Sequence, residues 1–317
     1  MTRHHLVVGA GPVGRQTALL LAERGEGVTL ASRSGTGEAL PGVRRVAVDA
    51  ADADALATLA DGSVAMHNAV NPPSYDVWPQ WWPPIAEAFL TAAERTGALL
   101  VTAGPLYAYG PLSDPDRAMT EDLPDAAAGV KGALRAAMTA EAMGRHRAGR
   151  LRAVEIRGSD YMGPGVTSAH VAAVAPRALA GKAVRMFGDP RLPHSYTDVR
   201  DMARAMVHLV DEPEGWGRVC HAPTNPARSS VETIADVCRA AGREPVAVRP
   251  WPRAMLGLGG LAVPFLREMR ETAYQFERPY VLDSSAITER FGLAPTPWEE
   301  VCSATAASAL GVERVPA

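Results

Sequence analysis

The sequence is short of lysine, of cysteine and of surplus basic charge. Only two of its 32 basic residues are lysines, Lys131 and Lys182, and the formal net charge is −3. This balance offers no positive surface for nucleic acid or an anionic membrane. The three cysteines, Cys220, Cys238 and Cys302, are scattered and odd in number. They argue against a disulfide framework or a metal site, and we expect no metal and a reducing, cytoplasmic location.

Long apolar runs are also missing. No run reaches the ~18 residues that a membrane-spanning helix needs, so no membrane partner is expected. The first apolar stretch, Leu6–Ala10, enters a glycine turn directly and is typical of a strand rather than of a signal segment. Hydrophobic residues at 47% and charged residues at 21% are ordinary for a protein with a packed core.

Short apolar runs alternate with helical patterns through the first half of the chain. The patterns predict strands at 5–9, 28–31, 43–48, 64–66 and 98–102, and helices at 13–24, 54–59 and 85–96. A loop rich in proline and tryptophan is expected at 71–84. This alternation predicts an α/β protein with a Rossmann-type, doubly wound parallel sheet.

The second half is less regular and predicts a smaller C-terminal substrate lobe. Regular elements are expected at 130–146 (helix), 152–157 (strand) and 198–210 (helix), with short helices and proline breaks elsewhere. We therefore expect the nucleotide-binding domain to comprise residues 1–165 and about 196–224. The lobe and C-terminal segment would comprise about 166–195 and 225–317.

The first strand is followed by a Gly-x-Gly-x-x-Gly pattern that opens a helix. Gly9 permits a tight turn, Gly11 lets backbone approach a pyrophosphate, and Gly14 lets the helix pack on the strand. The helix start at Pro12 and Val13 offers partial positive charge to phosphates. Glycines also mark plain turns, but the strand–turn–helix context favours a dinucleotide site.

The end of the second strand bears on the choice of dinucleotide. An NAD site usually places an acid there for the ribose 2′-hydroxyl, whereas this chain has Ser32, Arg33 and Ser34. A guanidinium flanked by hydroxyls suits a 2′-phosphate, so NADP is expected. The alternative is a solvated arginine in a polar loop. Asp49, after the third strand, would accept from the adenine amino group or cap the following helix.

Further segments resemble the extended short-chain dehydrogenase/reductase family, also called the NAD-dependent epimerase/dehydratase family. They cover nearly the whole chain in the family's order. The matching segments are His67-Asn-Ala-Val70, Tyr107-Ala-Tyr-Gly-Pro111, Met119-Thr-Glu-Asp122, Ile156-Arg157 through Tyr161-Met-Gly-Pro-Gly165, and Pro193-His-Ser-Tyr-Thr-Asp-Val-Arg-Asp201. The first, together with the residue that follows it, implies cofactor contacts by Ala69, Val70 and Asn71.

The resemblance fails at the family's catalytic Tyr-x-x-x-Lys pair. Aligned on Leu134, the tyrosine position is Gly129 and the lysine position is Ala133. Because neither lysine has a tyrosine four residues before it, the motif occurs nowhere in the chain. The family's serine position falls at 103, 104 or 105, and Thr102 is the adjacent hydroxyl. The chain therefore resembles atypical members, namely ketoreductases of aromatic polyketide tailoring (simocyclinone-type angucyclinones) and NADP-binding redox sensors.

Reduction of a ketone then needs another source for its proton. Three are open: a protein side chain, an ordered water, or a phenol of the substrate beside its carbonyl. The substrate-assisted route is favoured as a hypothesis. The candidate side chains are Tyr107, Tyr161 and Thr102, followed by Tyr109, His194 and Lys131.

Two apolar segments have alternative interpretations. Trp78, Trp81 and Trp82 would form a flat wall for a planar substrate or, as the favoured interpretation, pack at a helix start. The stretch from Trp251 to Phe265 would line a pocket, belong to the core or form a dimer face.

The expected function is reduction of a hydrophobic carbonyl compound with NADPH, for example an aromatic polyketide or similar secondary metabolite. The alternatives are an NADP-sensing binding protein without turnover, and a non-redox isomerase or lyase on the same fold. The chain is expected to act as a monomer or homodimer on a small molecule.

Overall fold

The computed structural model describes residues 2–72, 74–127, 129–252 and 271–312. These residues form two compact units. The first comprises residues up to 108, 130–157 and 202–222, and the second comprises 109–129, 158–201 and 223 onward. Most of the apolar stretch 251–265 lies outside the described residues. Among the described residues, no helix combines the length and apolar character needed to cross a bilayer.

The first unit is built on a seven-stranded sheet, which confirms the predicted Rossmann-type α/β class. Its strands are β1 (His4–Val8), β2 (Gly27–Ser32), β3 (Val43–Ala47), β4 (Ala65–Asn68), β5 (Leu99–Pro105), β6 (Ala153–Gly158) and β11 (Val219–His221). The order is β11-β6-β5-β4-β1-β2-β3, and β1 runs parallel to both of its neighbours, β2 and β4. From β1 the chain adds β2 and β3 on one side and then β4, β5 and β6 on the other. Open α/β sheets bind their ligands at such a reversal, here between β1 and β4.

Helices pack on this sheet because each carries apolar residues at helical spacing, which form one buried face. They are α1 (Pro12–Glu23), α2 (Ala53–Ala60), α3 (Trp78–Thr96), α4 (Val130–Arg147) and α6 (Val199–His208), the last entering from the second unit. Helix α1 begins with proline at its first position, where a missing N–H costs nothing, and buries Thr17, Ala18 and Leu21. The core between the helices and the sheet includes Leu6, Phe89 and Leu100.

The loop predicted at 71–84 is wrong in its second half. A 3-10 turn spans Tyr75–Val77, and α3 starts at Trp78, so that Pro83 and Pro84 lie inside the helix. Two interior prolines remove two helical hydrogen bonds, and this made the sequence look like a loop. Burial of Trp78 and Trp82, 5% and 2% exposed, outweighs that loss.

The second unit consists of short strand pairs and helices around its own core. Its strands are β7 (Asp160–Met162), β8 (Val184–Met186), β9 (Pro193–His194), β10 (Tyr196–Asp198), β12 (Arg228–Ser229) and β13 (Val248–Pro250). They pair as β7 with β10, β8 with β13 and β9 with β12. Its helices are α5 (Ala175–Leu179), α7 (Ser230–Ala240), α8 (Tyr274–Glu277), α9 (Ser285–Phe291) and α10 (Trp298–Ala309).

Candidate dinucleotide site and its proton-handling side chains

The turn after β1 contains three glycines, and at two of them there is no space for a side chain. Gly9 has φ +108°, and a Cβ there would lie 2.3 Å from the Ala69 carbonyl oxygen. A Cβ on Gly14 would lie 1.8 Å from the Gly9 carbonyl oxygen. The turn thus packs closely against both the segment after β4 and helix α1. Both glycines are required by this close packing.

Gly11 differs, because a Cβ there would meet no atom within 4 Å. It is the N-cap of α1, with ordinary extended backbone, and no side chain caps the helix. The first turn of α1 also contains no acidic residue. The helix start therefore presents its backbone dipole, next to Pro12 and Val13, to open space. An uncapped helix start of this kind is suited to a phosphate group.

The end of β2 brings a cation and two hydroxyls to the same edge of the sheet. The exposed Arg33 guanidinium lies over the Trp81 ring, 5.2 Å from its centroid. The Ser32 Oγ accepts the Gly35 N–H at 3.2 Å, and the Ser34 Oγ accepts from the Thr36 N–H at 3.2 Å. Residues 27–36 include no acid. A guanidinium held on an aromatic face is preset for an anion such as a 2′-phosphate.

Asp49 does not cap the following helix. The N-cap of α2 is Asp52, whose carboxylate accepts the Ala55 N–H at 3.0 Å. The carboxylate of the exposed Asp49 accepts the local Ala51 N–H instead, at 3.0 Å. The capping alternative is therefore wrong, and the adenine contact stays a prediction.

The segment after β4 lies against the glycine turn. The Ala69 N–H donates to the Val8 carbonyl at 2.9 Å, which fixes this segment beside β1. The Asn68 Oδ1 accepts the Val70 N–H at 3.2 Å, and Asn71 is exposed. The predicted cofactor residues Ala69, Val70 and Asn71 are thus brought to the same edge as Gly9.

Two of the three candidate proton donors lie at the neighbouring strand end. Thr102 pairs with Asn68 across β5 and β4 and is half-buried. Tyr107 follows β5, and its hydroxyl is 2.7 Å from the hydroxyl of Tyr75. Tyr161 lies in the second unit, in β7, opposite Thr197 of β10.

The two positions aligned from sequence, at the start of α4, lie off the buried face of that helix. Gly129 precedes the helix, and Ala133 is exposed, so neither represents the buried face of α4. That face carries Lys131 and Arg135, each 2% exposed and one helical turn apart. Lys131 is among the candidates named from sequence, whereas Arg135 is not, because charged residues are typical of a solvated face. Their i, i+4 spacing and the scarcity of lysine were the signals available.

Each of these buried cations lies over an aromatic ring. The Lys131 Nζ is 5.3 Å from the centroid of Tyr75, and the Arg135 guanidinium carbon is 4.7 Å from that of Trp82. Arg135 also donates to the Ala103 carbonyl oxygen at 3.2 Å. Trp82 and Trp78 are therefore core residues, which confirms their predicted packing role and excludes them from a substrate wall.

A buried carboxylate stands behind Arg135. Glu155 accepts from the Thr139 hydroxyl at 2.6 Å and from the Arg157 Nε at 2.9 Å. Burial alone would raise the pKa of Glu155, but Arg157, Arg135 and the Thr139 hydroxyl hold that pKa below its usual range. The carboxylate is therefore charged and stabilises both arginines.

His194, a further candidate donor, is occupied inside the second unit. Its Nε2 lies 2.9 Å from an Asp160 oxygen and its Nδ1 lies 3.3 Å from the Gln275 carbonyl oxygen. Burial would raise the pKa of Asp160, but His194 and His170 hold it below its usual range. His194 is thus a packed and hydrogen-bonded core residue of that unit.

Comparisons with known proteins agree with this architecture. A model of the NAD dependent epimerase/dehydratase family matches residues 84–219. No curated protein sequence matches the chain significantly. Solved structures match it in fold over nearly their whole length.

Three of these structures illustrate the likeness. A dTDP-glucose 4,6-dehydratase from Bacillus anthracis, in complex with NAD, has a TM-score of 0.78 at 16% identity and covers 98% of each chain. A UDP-glucose 4-epimerase from Thermotoga maritima, with UDP-glucose, has 0.78 at 17%, covering 97% of this chain and 99% of that one. The UDP-glucose 4-epimerase of Thermus thermophilus, with NAD, has 0.77 at 20%, covering 98% and 100%. In sequence over its middle part and in fold over almost its full length, the chain is thus similar to the NAD-dependent epimerase/dehydratase family.

Proposed function

We propose that the chain is an NADPH-dependent reductase of a small hydrophobic carbonyl compound. The observation that carries this proposal is the cradle at Gly11, which is open where a pyrophosphate would lie and uncapped at the helix start. Next to it, Arg33 presents a guanidinium on the Trp81 face. The fold is one in which solved structures of similar proteins hold NAD.

The dinucleotide would be held along the carboxyl ends of the strands. Gly9, Gly11 and Gly14 with the N–H of Val13 would contact the pyrophosphate. The 2′-phosphate would lie at Ser32, Arg33 and Ser34, the adenine at Asp49, and the nicotinamide half beyond Ala69, Val70 and Asn71. When bound, the reduced nicotinamide supplies hydride to the substrate carbon.

The choice of NADP over NAD rests on charge. A 2′-phosphate carries negative charge that a guanidinium binds through two parallel N–H donors. An NAD site usually places a carboxylate at the end of β2 to accept from the ribose hydroxyl, and residues 27–36 contain no acid. The 2′-phosphate contact would be partly exposed, so its contribution is that of a surface pair supported by the aromatic face.

The proton route departs from that of the family, because no Tyr-x-x-x-Lys motif exists in the chain. Thr102 and Tyr107 are the candidate side chains in the first unit, and Tyr161 is the candidate in the second. A phenol next to the substrate carbonyl is the alternative source. It already donates to that oxygen, as it would on an aromatic polyketide, and would spare the protein a dedicated acid.

A consumption assay tests the proposal. The protein is incubated with NADPH and a panel of quinonoid and polyketide ketones, and the reduced-nicotinamide absorbance is followed. Loss of absorbance with alcohol formation supports the reductase. Tight NADPH binding without consumption, together with a captured protein partner, replaces it by a redox sensor. Product without net cofactor use replaces it by an isomerase or lyase.

A further inference from the structure

The first observation concerns the place of Lys131. It is one of only two lysines in the chain, and it lies in the first turn of α4 with 2% of its surface exposed. Burying an ammonium is costly, so the site must provide compensation. One contribution is the Tyr75 ring, whose centroid is 5.3 Å from Nζ.

The second observation is that Tyr75 belongs to a phenol pair. Its hydroxyl oxygen and that of Tyr107 are 2.7 Å apart, the usual length of an O–H···O hydrogen bond. Both side chains are half-buried, and their rings lie 6.3 Å apart at 54°. Tyr75 precedes α3 and Tyr107 follows β5, so the pair lies beyond the end of the strand that carries Thr102.

These groups together have the physical components of an acid. In a hydrogen-bonded phenol pair, one hydroxyl donates to the other and stabilises the oxygen that loses its proton. A cation held close by favours that negatively charged form. The low polarity around a buried ammonium strengthens this attraction.

We propose that Tyr107 is the proton donor of the reduction, with Tyr75 and Lys131 as its positioning residues. The inference rests on the proposed function. As the substrate carbon accepts hydride from the reduced nicotinamide, the Tyr107 O–H bond breaks and an O–H bond forms on the substrate oxygen. Tyr75 then returns a proton to the Tyr107 oxygen and regains its own from water. The carbonyl is thereby reduced to an alcohol and the dinucleotide is oxidised.

The arrangement reproduces the roles of a tyrosine and a lysine with residues from three separate segments. Lys131 acts through the phenol pair, since it is almost fully buried. Arg135, one turn further along α4, is engaged with the Ala103 carbonyl and with Trp82, which fixes the helix against the end of β5.

Kinetics of single variants form the first arm of the test. Tyr107→Phe should lower kcat with the best carbonyl by about 100- to 10,000-fold, the range for loss of a general acid. Tyr75→Phe should lower kcat by about 10-fold, with KM and NADPH affinity unchanged. Lys182→Met, which changes the exposed second lysine, is the matched control for Lys131→Met and should leave kcat unchanged.

A spectroscopic arm needs neither cofactor nor substrate. Tyrosinate absorbance is followed as pH is raised, in the native chain and in the variants. Lys131→Met should shift the first tyrosinate signal to higher pH, while Lys131→Arg should retain the native curve. Because Lys131 is buried, unfolding of Lys131→Met would be detected by circular dichroism. In that case Tyr75→Phe, which keeps the ring, is the deciding variant. It should remove the first tyrosinate signal of the native chain.

The outcomes separate the inference from the proposed function. If the native chain reduces carbonyls and both phenylalanine variants retain its kcat, the inference is overturned and the proton comes from another source. If the native chain binds no dinucleotide, the proposed function fails. The spectroscopic arm then still decides, because an unchanged tyrosinate curve in Tyr75→Phe and Lys131→Met alike overturns the phenol pair.

Discussion

Replacement of Gly11 by alanine separates the dinucleotide cradle from the stability of the fold. Its backbone, at φ −73° and ψ −177°, is accessible to any residue, and the added methyl would meet no atom within 4 Å. Gly11→Ala should therefore fold normally. Its free energy of unfolding should change by less than about 1 kcal/mol, because the restriction of the unfolded chain by alanine opposes the poorer N-cap preference of alanine.

The same methyl group would project into the space assigned to the pyrophosphate. Inserting one methyl into a closely packed contact costs about 1–3 kcal/mol, so NADPH affinity should fall by about 5- to 150-fold. The assay is titration of NADPH fluorescence, run beside urea unfolding on the same preparations.

Two matched glycines show whether the effect is local. Gly144→Ala, in α4, has no neighbour closer than 4.0 Å and should stabilise the helix without altering affinity. Gly14→Ala, with its 1.8 Å approach to the Gly9 carbonyl, should instead lower the free energy of unfolding and abolish binding. Native NADPH affinity in a stable Gly11→Ala protein would refute the placement of the pyrophosphate.

Three further predictions follow from contacts in the first unit. Trp81→Ala should weaken NADPH binding by about 2- to 5-fold and leave NADH binding unchanged, because only the Arg33 guanidinium loses its ring; equal losses for both dinucleotides would argue against it. Asp52→Ala should lower the free energy of unfolding in urea by about 1 kcal/mol without changing NADPH affinity. Asp49→Ala should weaken NADPH binding without changing the free energy of unfolding. A loss of affinity in Asp52→Ala, or a loss of stability in Asp49→Ala, would contradict the proposed site. Burial, and then the charge of His5, hold the pKa of His67 well below its usual value, so the unfolded state binds more protons below about pH 6.5. Stability should fall as pH is lowered from there, by up to about 1.4 kcal/mol per pH unit from this group, and His67→Gln should flatten that slope when unfolding is measured at pH 7 and pH 5.

The strand–turn–helix at the start of the chain was predictable because its determinants are local. An apolar run, three glycines and a proline at the first helical position lie within a dozen residues, and β1 and α1 begin within one or two residues of their predicted starts. The parallel, doubly wound class of the sheet follows from the same alternation of strands and helices.

The start of α3 was not predictable in this way. Interior prolines normally end a helix, and Pro83 with Pro84 made the segment resemble a loop. The helix persists because Trp78 and Trp82 are buried against the core, and that packing is a tertiary property.

The contact between Tyr75, Tyr107 and Lys131 could not be predicted from local sequence for another reason. Tyr75 and Tyr107 are 32 residues apart in sequence, and only the pairing of β4 with β5 brings their hydroxyls together. Lys131 and Arg135 contradict the rule that charged residues mark the exposed face of a helix. Their burial is made tolerable by the aromatic rings of Tyr75 and Trp82, and these contacts depend on tertiary packing.

A dinucleotide titration tests the central claim most directly. NADPH and NADH are titrated separately into the native chain and into Arg33→Ala, with nucleotide fluorescence as the signal. We expect NADPH to bind at least ~10-fold more tightly than NADH, and Arg33→Ala to remove this preference while NADH affinity stays the same. Tighter binding of NADH, or binding of neither nucleotide, would contradict the account.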